Sequence, residues 1–128
     1  MREILLDSDV IIEWLRGRPP VTQQMIALIE AHEDLCWTPV SIAEILAGAR
    51  ASEDEAIGDL FLMLEALPIT TDVGRKAGAY LTSYAKSHGL ELGDALIAAS
   101  AFSNDRQFWT LNKKHYPMRD IRFFSYSP

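Results

Sequence analysis

The stretch ILLDSDVIIEWL (residues 4–15) changes rhythm halfway, and that change decides the fold. Ile4-Leu5-Leu6 is a continuous apolar run, short enough to be a strand buried on both faces. Asp7-Ser8-Asp9 breaks it at once. Val10, Ile11, Trp14 and Leu15 then recur at helical spacing until Gly17-Arg18-Pro19-Pro20 stops them. A buried strand leaving through acids into a helix opens a βαβ unit. Outward from this stretch the alternation continues. Further strands are expected at 35–38, 67–70 and 108–110, with a fifth candidate over 121–124. Pro68 marks the start or the edge of the third. Helices are expected over 22–32, 41–51, 53–65, 72–87 and 94–102. The last of them, DALIAASAF, is nearly all apolar and should be buried on most sides. The expectation is α/β: one domain over residues 1–128, with a mainly parallel sheet of four to five strands flanked by helices on both faces. Ligands of such sheets bind at the carboxyl ends of the strands.

Composition agrees and narrows the function. The 128 residues include 12 Lys+Arg and 18 Asp+Glu, a formal charge of −6, with 48% hydrophobic residues. This is the balance of a soluble globular chain. No apolar run reaches the roughly 18 residues a membrane span needs, and acids interrupt the N-terminal apolar stretch where a signal peptide would have none. A cytoplasmic protein with no membrane contact is expected. Cys36 is the one cysteine, which excludes an intramolecular disulfide and a Cys-rich zinc site. The acidic balance excludes a protein that holds nucleic acid mainly by bulk positive charge. The charge is uneven, however. Residues 1–103 carry a net −9, whereas 104–128 set Arg106, Lys113, Lys114, Arg119 and Arg122 against Asp105 and Asp120, a net +3. A basic segment of this kind is either a solvated edge or a contact for a polyanion.

Each acid near a strand exit has an ordinary explanation. Ser8 or Asp9 would cap the first helix, with Asp7 in the turn. Ser41-Ile42-Ala43-Glu44 matches a capping box. Asp94 complements the dipole of the helix it opens, and Asn112 suits a turn after Thr110. Together they form a pattern those explanations leave over, because acidic or amide groups follow the first, second and fourth strands and lead the apolar helix. Three carboxylates gathered at one edge repel and raise one another's pKa unless a cation neutralises them. Oxygen donors without clustered Cys or His suit Mg²⁺ or Mn²⁺. Such an ion can activate water for an in-line displacement at phosphorus.

LLDSDVIIEWLRG, TPVSIAEILAGA, LELGDALIAASA and FWTLNKKHY together resemble, in order and spacing, the PIN-domain ribonucleases, particularly the VapC-type toxins of toxin–antitoxin pairs. The resemblance spans essentially the whole chain. It implies a parallel sheet, an acidic cleft binding Mg²⁺ or Mn²⁺, and endonucleolytic cleavage of RNA. Asp7, Glu44 and Asp94 match the family's three acids and become the expected catalytic and metal-binding residues. Asp9, Ser8 and Thr110 match positions that support the site. Asn112 stands where many members carry a fourth acid, which favours one-metal chemistry. His115-Tyr116 reads as structural. Arg16, Lys113 and Lys114 are candidates for RNA phosphate contacts, with solvated surface as the alternative. The resemblance also implies a VapB-type antitoxin and a homodimer. Met25, Ile29, Leu60, Phe61 and Leu64 are candidates for the antitoxin's groove, with core packing as the alternative.

Two rivals share the D-x-D opening. A haloacid-dehalogenase-like phosphatase would use Asp7 as nucleophile, but Ile11 and Ala98 depart from its pattern. A phospho-receiver module would need an acceptor such as Asp72, which looks like a helix cap.

Overall fold

In the computed structural model, which describes residues 2–125, β1 (Glu3–Leu6) lies inside a four-stranded sheet, and Ile4, Leu5 and Leu6 have no exposed surface. β2 (Asp34–Trp37), β3 (Glu65–Ala66) and β4 (Gln107–Trp109) complete the order β3-β2-β1-β4, and every pairing is parallel. Parallel neighbours need crossovers, here supplied by α1 (Ser8–Leu15), α2 (Val21–Glu30), α3 (Pro39–Ala47), α4 (Asp54–Met63), α5 (Thr71–His88) and α6 (Leu92–Ser103).

Side chains alternate across a strand, so β1 feeds two cores. Leu5 joins Cys36, Val73, Ala77, Tyr80 and Ala98 beneath α5 and α6. Ile4 and Leu6 join Trp37, Val10, Met25, Ile57 and Leu60 beneath α1, α2 and α4. Each buried Leu, Ile, Val or Met among them contributes about 2 kcal/mol by leaving water. As its composition foretold, α6 buries Ala95, Ile97, Ala98, Ala99, Ser100 and Ala101. Gly89, at φ 64°, ends α5 in the left-handed conformation glycine adopts without strain.

Several boundaries move. The third strand pairs through Glu65 and Ala66, not through 67–70. The Leu67 N–H still reaches the Trp37 carbonyl at 2.9 Å, but Pro68 has no N–H to continue the ladder. The fifth candidate shrinks to a single parallel bridge between Phe108 and Phe123. The helix expected over 41–51 starts earlier, at Pro39, because the Thr38 hydroxyl caps it by accepting from the Ser41 N–H, and it stops before Gly48. The helix expected over 53–65 is a 3₁₀ turn, Ala51–Glu53, followed by α4. Of the five residues suggested for a partner groove, Met25, Leu60 and Leu64 are instead core, because α2 and α4 turn them onto the sheet. Ile29 and Phe61 stay at the surface, at 36% and 50% exposure. No described helix is long and apolar enough to cross a membrane.

Candidate active site

Because parallel strands all end on one side, the turns after β1, β2 and β4 meet at the carboxyl edge. Asp7 follows β1 and is the N-cap of α1, so its carboxylate faces the partial positive charge of a helix start. It is 6% exposed. Its Oδ1 accepts from the Ser8 N–H at 2.8 Å, and its Oδ2 accepts from the hydroxyls of Thr110 and Tyr116, both at 2.9 Å. Asp9, in the first turn of the same helix, accepts from the Leu111 N–H at 3.1 Å through Oδ2. Its Oδ1 is buried and has no hydrogen-bond partner.

Glu44 projects from α3. With the helix starting at Pro39 and capped by Thr38, the capping-box explanation for Glu44 falls away. Its Oε1 accepts instead from Ser8 Oγ at 3.0 Å. Asp94 does take an ordinary helix-start role, accepting from the Glu91 N–H at 3.1 Å, but the same Oδ2 lies 2.9 Å from His115 Nε2. Its Oδ1 is 3.4 Å from the Tyr116 hydroxyl.

Asp7, Ser8, Asp9, Glu44, Asp94 and Asn112 therefore line one cavity of about 320 Å³, closed by Ile12, His115 and Tyr116. Thr110, 4% exposed, sits behind it and also accepts from the Asn112 N–H at 3.2 Å. The donors surround the cavity without converging on one point. Among the described residues, no three His, Cys, Asp or Glu side chains form a ready-made metal cage.

Electrostatics follow from this crowding. Burial, and then the neighbouring Asp9 carboxylate, push the Asp7 carboxyl up to about 6 from 3.8, against the pull of its three donors. Burial likewise raises Asp9. Burial and the Asp7 and Asp94 charges push the Tyr116 phenol up, so it remains a donor.

Three expectations need correction or refinement. His115 and Tyr116 are not merely structural, since they bond to Asp94 and Asp7 across the cavity. Tyr116 also keeps a structural role, meeting Phe108 edge to face at 5.0 Å. No local signal marked its hydroxyl as part of the site, because the partner lies 109 positions away. Of the basic candidates, Arg16 lines a second cavity of about 80 Å³ that shares Ile12 and Glu44 with the first. Lys113 turns away, donating to Ser125 Oγ at 3.1 Å, and exposed Lys114 lines neither cavity. Asp72, the receiver-type acceptor, lies in the first turn of α5, outside both.

A four-stranded parallel sheet with an oxygen-lined pocket at its carboxyl edge agrees with comparison to known proteins. The PIN domain model matches residues 4–120, and the chain belongs to that family. Among its relatives, Ribonuclease VapC10 of Mycobacterium tuberculosis is 40% identical over 118 residues, 90% of this chain and 86% of the relative. Ribonuclease VapC19 of the same organism is 33% identical over 115 residues, 89% and 92% of the two chains. The crystal structure of DNA-bound VapBC from Salmonella typhimurium matches with a TM-score of 0.80, covering 97% of this chain and 98% of that one at 19% identity. VapBC2 from Rickettsia felis, bound to a promoter DNA fragment, matches at 0.75 with the same coverage and 15% identity. At those identities the two structures speak for the fold alone.

Proposed function

We propose that this protein is an endoribonuclease of the VapC type, hydrolysing RNA phosphodiesters with Mg²⁺ or Mn²⁺ at Asp7, Glu44 and Asp94, and neutralised by a VapB-type antitoxin. The observation that carries this reading is the meeting of those three acids, with Asp9, around one pocket that no lysine or arginine lines. The 40% identity to a protein named a ribonuclease supports the reaction. The VapC names of the relatives at 40% and 33% identity support a VapB-type partner.

The residues suit a hard cation. Every donor in the acid set is oxygen, the Asp9 Oδ1 acceptor is buried without a partner, and burial beside Asp9 makes the Asp7 charge costly until a cation offsets it. Donors spaced around a cavity, not closed on a point, fit an ion that keeps several of its own waters, as Mg²⁺ does. Asp7, Glu44 and Asp94 would hold it, with the unpartnered Asp9 oxygen close by. When bound, the ion supplies an activated water and stabilises charge on the phosphate.

The chain's own groups set the stage. Thr110, Tyr116 and the Ser8 N–H hold Asp7 in one orientation, and His115 does the same for Asp94. Arg16, on the rim of the adjoining cavity, is the basic side chain best placed to meet a flanking phosphate. The test incubates the purified protein with structured and unstructured RNAs in Mg²⁺, Mn²⁺ or EDTA, alongside Asp7→Asn. Cleavage that needs the metal and disappears in the variant is expected. Equal cleavage by the variant overturns the assignment.

A further inference from the structure

Glu44 differs from the other acids of the pocket. It is exposed, its side chain is the longest, and it sits past the first turn of α3, where backbone amides no longer reach it. Its hydrogen bond comes from Ser8 Oγ at 3.0 Å. Ser8 Oγ in turn lies 2.8 Å from Ser41 Oγ, and Ser41 has no exposed surface. A serine hydroxyl carries one proton, and an ionised carboxylate only accepts. The Ser8 proton must therefore go to Glu44, so the Ser41 proton must go to Ser8. The opposite order would set the Ser8 lone pairs against the carboxylate. Ser41 is itself anchored in the first turn of α3, its N–H donating to Thr38 Oγ1 at 3.4 Å. The relay thus leaves α3 at Ser41, crosses to Ser8 at the start of α1, and returns to α3 three residues later.

We infer that Ser41 is a positioning residue: by donating to Ser8 it fixes the rotamer from which Ser8 holds the Glu44 carboxylate at the pocket. This rests on the proposed function, which makes Glu44 a cation ligand. A long carboxylate side chain loses rotamer freedom when it meets an ion, and a relay that has already ordered it removes much of that loss.

The test measures Mn²⁺ affinity by electron paramagnetic resonance, with thermal unfolding alongside, for the full chain and for Ser8→Ala, Ser41→Ala, the double variant and Asp7→Asn. Removing a group that orients a ligand commonly weakens metal binding at least tenfold, so about tenfold is expected for Ser8→Ala and roughly fivefold for Ser41→Ala, one step further back. Because Ser41 acts through Ser8, the double variant should bind no more weakly than Ser8→Ala. Ser41→Thr, which keeps the hydroxyl, should stay within about twofold of the parent. Additive losses in the double variant overturn the relay, as does a Ser41→Ala protein with parental affinity. If Ser41→Ala fails to fold, Ser41→Cys fills the same space with a weaker donor and should show the same ordering. A parent chain that binds Mn²⁺ no better than Asp7→Asn overturns the proposed function itself, and the relay with it.

Discussion

The amino and carboxyl edges of this sheet each gather acids, and they settle the charge in opposite ways. At the amino edge Glu3, Asp34 and Glu65 stand at the starts of β1, β2 and β3 around Arg106, just before β4. Arg106 Nη1 is 2.5 Å from Glu3 and 2.8 Å from Asp34, and Nη2 is 3.9 Å from Glu65. At the carboxyl edge Asp7, Asp9, Glu44 and Asp94 have no such guanidinium. His115 bonds to Asp94, and hydroxyls and backbone amides serve the rest. The first edge carries its own cation and is finished by folding. The second is left short of positive charge, and burial raises Asp7 and Asp9 there with no guanidinium to oppose it. An edge left in that state can accept a cation from solution, and the chain gives up stability to leave it so.

The largest expected effect comes from removing the uncompensated charge. Asp7→Asn should lower metal-dependent RNA cleavage by on the order of a thousandfold. The same change should stabilise the metal-free protein. With a folded value of about 6 against 3.8 unfolded, Asp7 costs nothing below pH 4, becomes destabilising as the pH rises between the two values, and costs about 3 kcal/mol above pH 6. Melting curves without metal should therefore coincide for parent and variant near pH 4 and separate above pH 6, with the variant higher. A variant that melts lower at pH 7.5 breaks the contrast between the edges.

Arg106→Met attacks the other edge. It leaves three acids without their cation and should cost about 2 kcal/mol, read by denaturant unfolding, since Arg106 is nearly buried but Glu3 and Glu65 are half exposed. Cleavage by the folded protein should be unchanged. Asn112→Lys carries the amino edge's solution to the carboxyl edge. It should weaken Mn²⁺ binding about tenfold while raising the metal-free melting temperature slightly, because a tethered ammonium competes with the ion. Calorimetric titration would check it, and unchanged affinity would place Asn112 outside the field of the acids. Tyr116→Phe is the mildest change, because the ring keeps its contact with Phe108. Losing the hydroxyl that favours ionised Asp7 should move the acid limb of the pH–rate profile up by about one unit.

Much of the carboxyl edge was legible along the chain, and the reason is topology. When strands are parallel, a residue's place just past a strand already tells which edge it joins, so Asp7, Asp9 and Thr110 needed no coordinates. The pairing of Glu44 with Ser8 was not legible, because the S-x-x-E pattern had a local explanation that only the true helix start, set by Thr38 and Pro39, removed. Side-chain direction was equally hidden. Lys113 and Arg16 look alike in a charge count, yet one turns toward Ser125 and the other lines the cavity adjoining the pocket. Met25 and Phe61 are both apolar residues on amphipathic helices, but packing buries the first completely and leaves the second half exposed.

The amino-acid sequence by itself determined the parallel α/β plan, the order of the strand exits and the identity of the acids, since these follow from apolar periodicity and short-range chain geometry. Tertiary structure alone decided which edge keeps a built-in cation, which hydroxyls hold the acids, that Tyr116 lines the cavity and that Ser41 meets Ser8. Those contacts join positions 22 to 109 apart, and hydrogen bonds depend on distances of a few tenths of an ångström that no local pattern specifies.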